Sequence, residues 1–506
     1  MTSKLTTYTN ENGGRVLLLF LLFSLALYQF IIAGFSAFAI VCLIPALVVA
    51  AIVIFRWRMS AFWLLIIINY FLQWKCFPAI GIPLSLYNEI LQLLLLGIAV
   101  IDIRHVPHFE RAANPMLFAL VIWCGYCTLE ILNDTCGLGI NIEAWYTGAR
   151  MMAFQMLYIF LVFTLYITSP EVLIKYLKLW ACLSLFSAIW TWKQQNIGME
   201  PAEQSFLYGA GRATHVIQAG TLIRYFSTFS DAANYGCNAA GAAVAFFIIA
   251  ITTKFTKEKI FFLIIGALVF KSMFASGTRT AIFCMLAGFM VFIVLSKSFK
   301  IAVPTIIAGG LFFCFLAFTN IANGNQQIRR MRSAFKGNDA SVNVRSINQE
   351  TMRKYMKDAP WGIGIGMGYK EVPANNKYSR MATIPPDSEY VYIWLRTGRI
   401  GITIFLLTTL IMFAGACYIV FFRLKSRSLM GIGAGMCSAF TAIQLGGYAN
   451  QVLMQFPNCL TFYGALTIVY ILPYLEPAWI EYENKRLAEQ EEKKRLKLEK
   501  KLASRV

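Results

Sequence analysis

Apolar segments long enough to cross a membrane recur along almost the whole chain, and this recurrence limits what the chain can fold into. Of its 506 residues, 58% are hydrophobic and only 14% are charged. A single water-soluble core cannot hide so much apolar surface. Because a bilayer core of about 30 Å needs roughly 20 apolar residues per helix, the pattern predicts an all-α, polytopic membrane protein with about 14 transmembrane helices.

Most of the predicted transmembrane helices precede a long polar segment, and the others follow it. They lie near 15–33, 36–55, 59–77, 84–103, 115–132, 147–168, 172–192, 229–252, 259–275, 279–296, 301–320, 400–422, 429–448 and 457–474. With Met1 in the cytoplasm, the short connections rich in Lys and Arg share one side, as the positive-inside rule requires. This topology predicts that both termini are cytoplasmic and that the long polar loop is extracytoplasmic. The first apolar segment lacks a small-residue cleavage site and reads as a retained helix.

The pattern divides the chain into five regions. They are a cytoplasmic N-terminus (1–14), the transmembrane helices before the loop (15–320), the loop (321–388), a re-entry segment with the last helices (389–474) and a charged cytoplasmic helical tail (475–506). No internal repeat is evident. The net charge of +20 lies largely in the cytoplasmic turns. Anionic lipid headgroups explain that placement, so nucleic acid is not implied.

The loop at 321–388 carries eleven Lys and Arg residues against five Asp and Glu residues, which predicts an anionic ligand beneath it. A short helix is expected from about 346 to 358, with Ile347, Met352, Tyr355 and Met356 on one weakly apolar face. The alternating glycines from Gly362 to Gly368 let backbone approach backbone or ligand closely.

Three arginines are candidate anion ligands on the loop side of the membrane: Arg224, Arg279 and Arg345. The planar guanidinium matches phosphate oxygens and keeps its charge, so several together can hold a pyrophosphate without a metal. Asp231 and Asn234 are expected to support Arg224. The alternative is that each arginine is an interfacial anchor that reaches lipid headgroups, or that Arg345 is merely structural.

Asp387 is the leading candidate for a general base, with Glu389 as second choice. A carboxylate near the membrane surface can accept the proton of an attacking hydroxyl. The alternative is that Asp387 or Ser388 simply caps the helix that follows. Tyr369 could also lie over the cavity. No metal or other cofactor is expected, since Cys124 and Cys127 lie in a predicted helix without nearby histidines.

The spacing of the late motif resembles that of a known family. Asp387-Ser388 is followed by nine residues and then by Gly398-Arg399-Ile400-Gly401, and a proline and glycine run from Pro360 to Gly366 precedes it. With the segments around Arg224, Arg279 and Arg345, this is similar to the O-antigen ligase and O-antigen polymerase superfamily of bacterial surface-glycan enzymes. Ligases carry histidine where this chain has Asp387, which favours a polymerase.

The resemblance implies a metal-independent glycosyltransferase of the bacterial inner membrane with a periplasmic active site. Its substrates would be an oligosaccharide linked to undecaprenyl pyrophosphate and a glycan acceptor, during assembly of O-antigen, capsule or exopolysaccharide. It also implies contacts with other polysaccharide-assembly proteins. Two alternatives stay open: a flippase for the same lipid-linked oligosaccharides, and a noncatalytic assembly subunit.

Overall fold

The computed structural model describes residues 56–76, 84–102, 108–217, 222–335 and 340–503, with scattered positions between 13 and 52. Contacts divide the chain into two compact units, residues 1–64 and 65–506, and the site described below lies in the second. The described residues are almost all helical. Strands β1 (Val216–Ile217) and β2 (Leu222–Ile223) form one small antiparallel hairpin, in which Val216 pairs with Ile223.

The helices follow one another with short connections, apart from the long loop. In chain order they are α1 (Arg58–Phe71), α2 (Leu84–Ile101), α3 (Pro115–Leu129), α4 (Ile142–Ala149), α5 (Gln155–Tyr166), α6 (Pro170–Asn196), α7 (Pro201–Tyr208), α8 (Arg212–His215), α9 (Ala232–Thr252), α10 (Thr256–Ala275), α11 (Thr280–Leu295), α12 (Phe299–Phe318), α13 (Gln326–Arg332), α14 (Ala340–Tyr355), α15 (Ser379–Thr383), α16 (Glu389–Tyr418), α17 (Arg427–Ala449) and α18 (Gly464–Ala503). Turns of 3-10 helix lie at Phe109–Ala112, Glu130–Leu132, Ser333–Phe335 and Met356–Asp358, and π-helical turns at Arg150–Phe154, Ile419–Arg423 and Cys459–Tyr463.

Seven helical segments of the described chain are long and apolar enough to cross a membrane. They are Pro115–Leu132, Ile142–Tyr166, Pro170–Asn196, Ala232–Thr252, Glu389–Arg423, Arg427–Ala449 and Cys459–Leu496. Shorter apolar helices include Thr280–Leu295 and Ala302–Phe318. The prediction of a helical, multipass membrane protein is confirmed, while the number of about 14 spans stays a prediction. Its first two helices, near 15–33 and 36–55, lie mostly outside the described residues.

Helix starts follow the local sequence. Asn114 accepts hydrogen bonds from the backbone of Met116 and Leu117, and Pro115 occupies the first position of α3. Ser169 and Pro170 begin α6 in the same way, with the Ser169 hydroxyl accepting from the Val172 N–H. A capping oxygen satisfies backbone donors that have no partner inside the helix, and proline there forfeits no hydrogen bond.

Helix α9 is the centre of the fold and is almost wholly buried among α10, α11 and α17. Small residues make the close packing possible. A Cβ on Gly288 of α11 would lie 3.0 Å from the Ser438 carbonyl of α17, and one on Gly435 would lie 3.3 Å from the Ala245 carbonyl of α9. Close backbone approach of this kind is a common basis of helix association in membranes. It holds α9 and α11 closely against α17.

The long loop folds onto an apolar cluster of its own. Buried residues of α14 and the turn after it, of the glycine run, of α15 and of α16 form this cluster together with Cys136 and Ala144; among them are Met352, Met356, Ile363, Met381 and Leu395. The loop is therefore a packed layer over the helix ends, and it can hold side chains in fixed positions.

The charged C-terminal tail continues the last membrane helix without a break from Gly464 to Ala503. Its first turns are docked rather than solvated. Glu483 is buried, pairs with Lys254 at 2.7 Å and accepts a hydrogen bond from Ser428. Arg486 pairs with Glu258 at 2.9 Å.

Candidate functional site

We call the end of the helices that carries residues 197–231 and 319–388 the loop side. The turn from α10 to α11, Ser276-Gly277-Thr278-Arg279, lies there. The Ser276 hydroxyl accepts a hydrogen bond from the Thr278 N–H at 3.1 Å, and the Thr278 hydroxyl donates to the Ala232 carbonyl at 2.7 Å. This turn is thereby tied to the first turn of α9.

Arg224 lies directly against that turn. Its guanidinium donates to the Ser276 carbonyl (3.2 Å), the Thr214 carbonyl (2.9 Å) and the Thr278 hydroxyl (3.1 Å). Burial lowers the pKa of Arg224 from its ordinary value; nearby Asp231 opposes this shift, whereas the positive charge of Arg279 adds to it. Neutral oxygens hold the guanidinium in place, so its charge is not cancelled by a bonded carboxylate.

Arg330 of α13 reaches the same turn from the loop. Its Nε donates to the Gly277 carbonyl at 2.7 Å. Gly277 has φ +58°, and a Cβ there would lie 3.2 Å from both the Arg224 and Arg330 side chains. Only glycine fits this position without strain, because the conformation disfavours a side chain and the two arginines leave little room for one.

One cavity of about 310 Å³ brings the candidate arginines together. Its lining residues are Arg224, Gly277, Thr278, Arg279, Thr280, Phe283, Arg330, Ala334, Arg345, Leu445, Tyr448, Ala449 and Asn450. Arg279 Nη1 also donates to the Ser333 hydroxyl at 3.3 Å. Four of the lining residues are arginines, and no Asp or Glu that the structure describes is among them. Such a cavity suits a polyanion, and guanidinium groups favour phosphate oxygens.

The two expected supports of Arg224 have different surroundings. Asp231 begins α9 by accepting from the backbone of Ala233 and Asn234, and it reaches Arg224 only through its charge. Asn234 donates to the Phe456 carbonyl at 3.0 Å and accepts from Asn458. Asn234 therefore holds the connection between α17 and α18 and makes no hydrogen bond to Arg224.

Asp387 is not among the residues that line the arginine cavity. It has φ +53°, and its Oδ2 accepts a hydrogen bond from Asn348 Nδ2 at 3.3 Å. Asn348 follows Arg345 by three residues on α14, so it lies on the same side of that helix. Ser388 occupies the N-cap position of α16, but its hydroxyl donates to the Gly447 carbonyl at 3.2 Å and makes no capping bond.

Glu389 lines a second cavity of about 230 Å³. The other lining residues are Gly148, Met151, Met152, Tyr392, Gln451, Met454 and Gln455. The Glu389 side chain is only 3% exposed, and its Oε2 accepts from the Leu453 N–H at 3.0 Å. Asn450 lines the first cavity and Gln451 the second, so adjacent residues of the chain border the two cavities.

Tyr369 belongs to neither cavity. Its side chain is 68% exposed, and its ring lies 5.8 Å from the Lys370 ammonium. The structure thus brings Arg224, Arg279 and Arg345 together, places Asp387 against Asn348, which lies one helix turn from Arg345 on α14, and leaves Tyr369 apart.

Sequence reasoning missed Arg330, Tyr448 and Asn450 as cavity residues. Arg330 stands in a run with Arg329 and Arg332, and charge alone does not distinguish the three. In the structure Arg332 is buried against the end of α12, where it donates to the Phe315 carbonyl, and Arg329 is exposed. Because successive residues of a helix are rotated by about 100°, these three side chains point in different directions. That rotation was the one signal in the sequence that could have distinguished them.

Fold and site together define a multipass, helical membrane protein with a cationic cavity on its loop side. Residues 267–406 match the family model described as O-Antigen ligase. This segment carries Arg279, Arg330, Arg345 and the stretch from Asp387 to Gly401. The resemblance to the O-antigen ligase and polymerase superfamily is therefore confirmed for this segment, which indicates an enzyme of the glycan-transfer type. No curated protein matches the chain.

Proposed function

We propose that this protein transfers a glycan from an undecaprenyl pyrophosphate carrier to a sugar hydroxyl during assembly of a bacterial surface polysaccharide. The observation that carries the proposal is the single cavity lined by Arg224, Arg279, Arg330 and Arg345. It lies at the loop side, which we assign to the periplasmic face of the inner membrane, with both termini in the cytoplasm.

The chemistry of the transfer suits such a cavity. The acceptor oxygen forms a bond to the anomeric carbon, the bond from that carbon to the phosphate oxygen breaks, and its electron pair leaves with the pyrophosphate. Fixed guanidinium groups stabilise the charge that develops on the leaving group. The hydroxyl proton passes to a carboxylate, for which Asp387 is our first candidate and Glu389 the second. Direct displacement of this kind inverts the anomeric configuration.

An apolar groove next to the arginine cavity supports a lipid-linked donor. It has a volume of about 440 Å³ and lies between the loop-side ends of α6, α10 and α12. Leu185, Ile189, Trp192, Leu268, Phe274 and Phe315 are among its lining residues. Phe274 and Ala275 line the groove, and Gly277 lines the arginine cavity, so the chain passes directly from one site to the other. A polyprenyl tail in this groove would leave its pyrophosphate among the arginines.

The choice between polymerase and ligase rests on Asp387. An anionic side chain replaces the histidine of the ligases, and Asn348 holds it by a hydrogen bond. A carboxylate can serve as base to a sugar hydroxyl. We therefore favour repeated transfer onto a growing glycan over a single transfer to a lipid core.

The test reconstitutes the purified protein in nanodiscs with the host's lipid-linked oligosaccharide. We expect release of carrier pyrophosphate together with a ladder of longer glycans, and we expect Arg279→Ala to abolish both. The exposed Arg329→Ala is the matched control and retains both. One addition to a lipid core would indicate a ligase, whereas movement of the intact donor across a liposome membrane without release would indicate the flippase alternative. No release from the native substrate would overturn the proposal.

A further inference from the structure

The second cavity, which we call the Glu389 cavity, has the side chains of a sugar-binding site. Glu389 contributes a carboxylate, Gln451 and Gln455 contribute amides, and Tyr392 contributes an aromatic ring. Carboxylates accept hydrogen bonds and amides both donate and accept them, which matches neighbouring hydroxyls of a sugar ring. An aromatic ring covers the apolar face of such a ring. This combination differs sharply from the arginine cavity and suits a neutral, polyhydroxylated ligand.

Two polar groups of the Glu389 cavity, those of Glu389 and Gln455, are held in place by hydrogen bonds. Glu389 accepts from the Leu453 N–H at 3.0 Å, and Gln455 accepts from Gln73 Nε2 at 2.9 Å. Gln451 is half-buried and makes no side-chain hydrogen bond to any residue that the structure describes, so its amide is available to a ligand. Groups fixed before binding lose less conformational entropy when the ligand arrives.

Arg396 lies beside Tyr392, although it is not among the residues that line the Glu389 cavity. Its guanidinium lies over the Tyr392 ring, 5.3 Å from the ring centre, and the residue is only 8% exposed. Its Nε and Nη1 are buried and have no hydrogen-bond partner among the described residues. Buried donors without a partner are costly, and other buried side chains of the described chain share this feature, among them Gln92 and Gln155.

The position of the Glu389 cavity relates it to the transfer. Asn450 lines the arginine cavity and Gln451 lines the Glu389 cavity, and consecutive Cα atoms are about 3.8 Å apart. The Asn450-Gln451 segment thus borders both cavities, which links the proposed acceptor sugar to the pyrophosphate site through adjacent residues. Both cavities lie at the loop side, and Glu389 of the Asp387-Ser388-Glu389 segment lines the second.

We propose that the Glu389 cavity binds the acceptor sugar, with Glu389, Gln451 and Tyr392 as its main contacts; this rests on the glycan transfer proposed above. Gln455 and Arg396 act as positioning residues, Gln455 through its bond to Gln73 and Arg396 through the Tyr392 ring. The assignment makes the two cavities the acceptor and donor halves of one site.

Binding tests the assignment without requiring turnover. The probe is a mixture of oligosaccharides released by mild acid from the host's own surface polysaccharide, and saturation-transfer NMR measures its binding to protein in nanodiscs. We expect Gln451→Ala and Tyr392→Ala each to raise Kd about tenfold or more. Tyr392→Phe keeps the ring and should change Kd little. Gln204→Ala removes an exposed glutamine of the 197–231 connection and is the matched control. Unchanged binding in the Gln451 and Tyr392 variants, or no binding to the wild-type protein, would overturn the assignment.

Kinetics separates this assignment from the proposed function. In the nanodisc assay, Gln451→Ala should raise KM for the acceptor about tenfold and leave KM for the lipid-linked donor unchanged. Transfer by the wild-type protein with an unaltered acceptor KM in Gln451→Ala would refute the acceptor site alone. Absence of transfer by the wild-type protein would refute the proposed function, and the binding measurement would still decide whether the cavity takes a sugar.

Discussion

Gly362 and Gly398 pack backbone against backbone where the long loop meets α16. A Cβ on Gly398 would lie 2.5 Å from the Gly362 nitrogen and would overlap the Pro360 carbonyl. The Ile363 N–H donates to the Leu395 carbonyl at 3.0 Å, and the Arg399 N–H to the Pro360 carbonyl at 2.9 Å. Gly398 has φ 66° and ψ −165°, so α16 is interrupted there. The glycine pair separates the short helix that carries Glu389 from the membrane helix below it.

Replacement of Gly398 by alanine should therefore destabilise the protein. Its backbone conformation is almost confined to glycine, and forcing another residue into such a region costs about 1–3 kcal/mol before any clash is counted. We expect the detergent-solubilised variant to have a lower melting temperature. Size-exclusion chromatography after heating measures the fraction of protein that remains folded. Gly324→Ala is the matched control, since a Cβ there meets nothing within 4 Å. An equal effect of both changes would argue against the backbone contact.

The sequence predicts this contact only in part. Alternating glycines indicate close approach of backbone to backbone or ligand, and the structure shows backbone, because Gly398 and the Ala144 carbonyl occupy the space beside Gly362 and Gly366. Helical periodicity likewise assigned one apolar face to the loop helix. Met352 and Met356 are indeed buried, but Ile347 is 64% exposed. Which residues of the loop helix are buried depends on how the loop packs into its apolar cluster. The periodicity of the local sequence carries no information about this packing.

The residues of the candidate site were likewise predictable from the sequence only in part. Residue chemistry and motif spacing were enough to select Arg224, Arg279 and Arg345, which share a cavity although up to 121 residues of sequence separate them. The contribution of Tyr448 and Asn450 could not be foreseen, because it arises from the packing of α17 against α11. Asn234 was linked to Arg224 by proximity in sequence, whereas its hydrogen bonds run to Phe456 and Asn458 across the helix bundle.

Arg330 should matter for donor use although its neighbour Arg329 should not. Arg330 lines the cavity, and hydrogen bonds to charged groups contribute about 1.5–3 kcal/mol, so Arg330→Ala should lower kcat/KM for the lipid-linked donor by roughly 10- to 100-fold. Arg330→Lys keeps the charge but loses the planar fork, and an intermediate loss is expected. Carrier pyrophosphate release measures the rate, with Arg329→Ala as control. Equal activity of Arg330→Ala and wild type would exclude this cavity as the pyrophosphate site.

Asp387→Asn tests the general base without disturbing the backbone. Asparagine tolerates the positive φ of this position and can still bond to Asn348, but it cannot take a proton. If Asp387 is the base, kcat should fall by about 10²- to 10⁴-fold while the melting temperature stays close to that of the wild type. Ser388→Ala, which removes only the bond to the Gly447 carbonyl, is the control. If Asp387→Asn kept full activity and Glu389→Gln lost it, Glu389 and not Asp387 would be the general base.

Glu483 should stabilise the tail helix through buried contacts. Its carboxylate pairs with Lys254 and accepts from Ser428, and hydrogen bonds to a charged group contribute about 1.5–3 kcal/mol. The half-exposed Lys254 regains water when its partner is removed, so the loss in Glu483→Ala should be at the lower end of that range. The melting temperature should fall, and Glu499→Ala near the end of the same helix should leave it unchanged. No difference between the two variants would show that the docked tail adds no stability.

His215 should make stability depend on pH. Its Nε2 accepts a hydrogen bond from the Ala232 N–H at 3.1 Å, which holds the first turn of α9, and its Nδ1 lies 2.9 Å from the Gly211 carbonyl. These contacts suit the neutral ring, with the proton on Nδ1. Burial lowers the pKa of His215 below its ordinary value of 6.5, and the positive charge of Arg224 acts in the same direction.

The sign of the effect follows from this lowered pKa. At pH values between the folded and the unfolded pKa of His215, the unfolded chain binds more protons than the folded protein. The contribution of the neutral His215 ring to folding stability is therefore complete above about pH 6.5. It is lost as the pH falls toward the folded pKa. The slope for one proton is at most about 1.4 kcal/mol per pH unit. We expect the melting temperature of the wild type to fall more steeply between pH 7.5 and 5 than that of His215→Gln. Identical slopes for the wild type and His215→Gln would mean that this ring does not titrate against the first turn of α9.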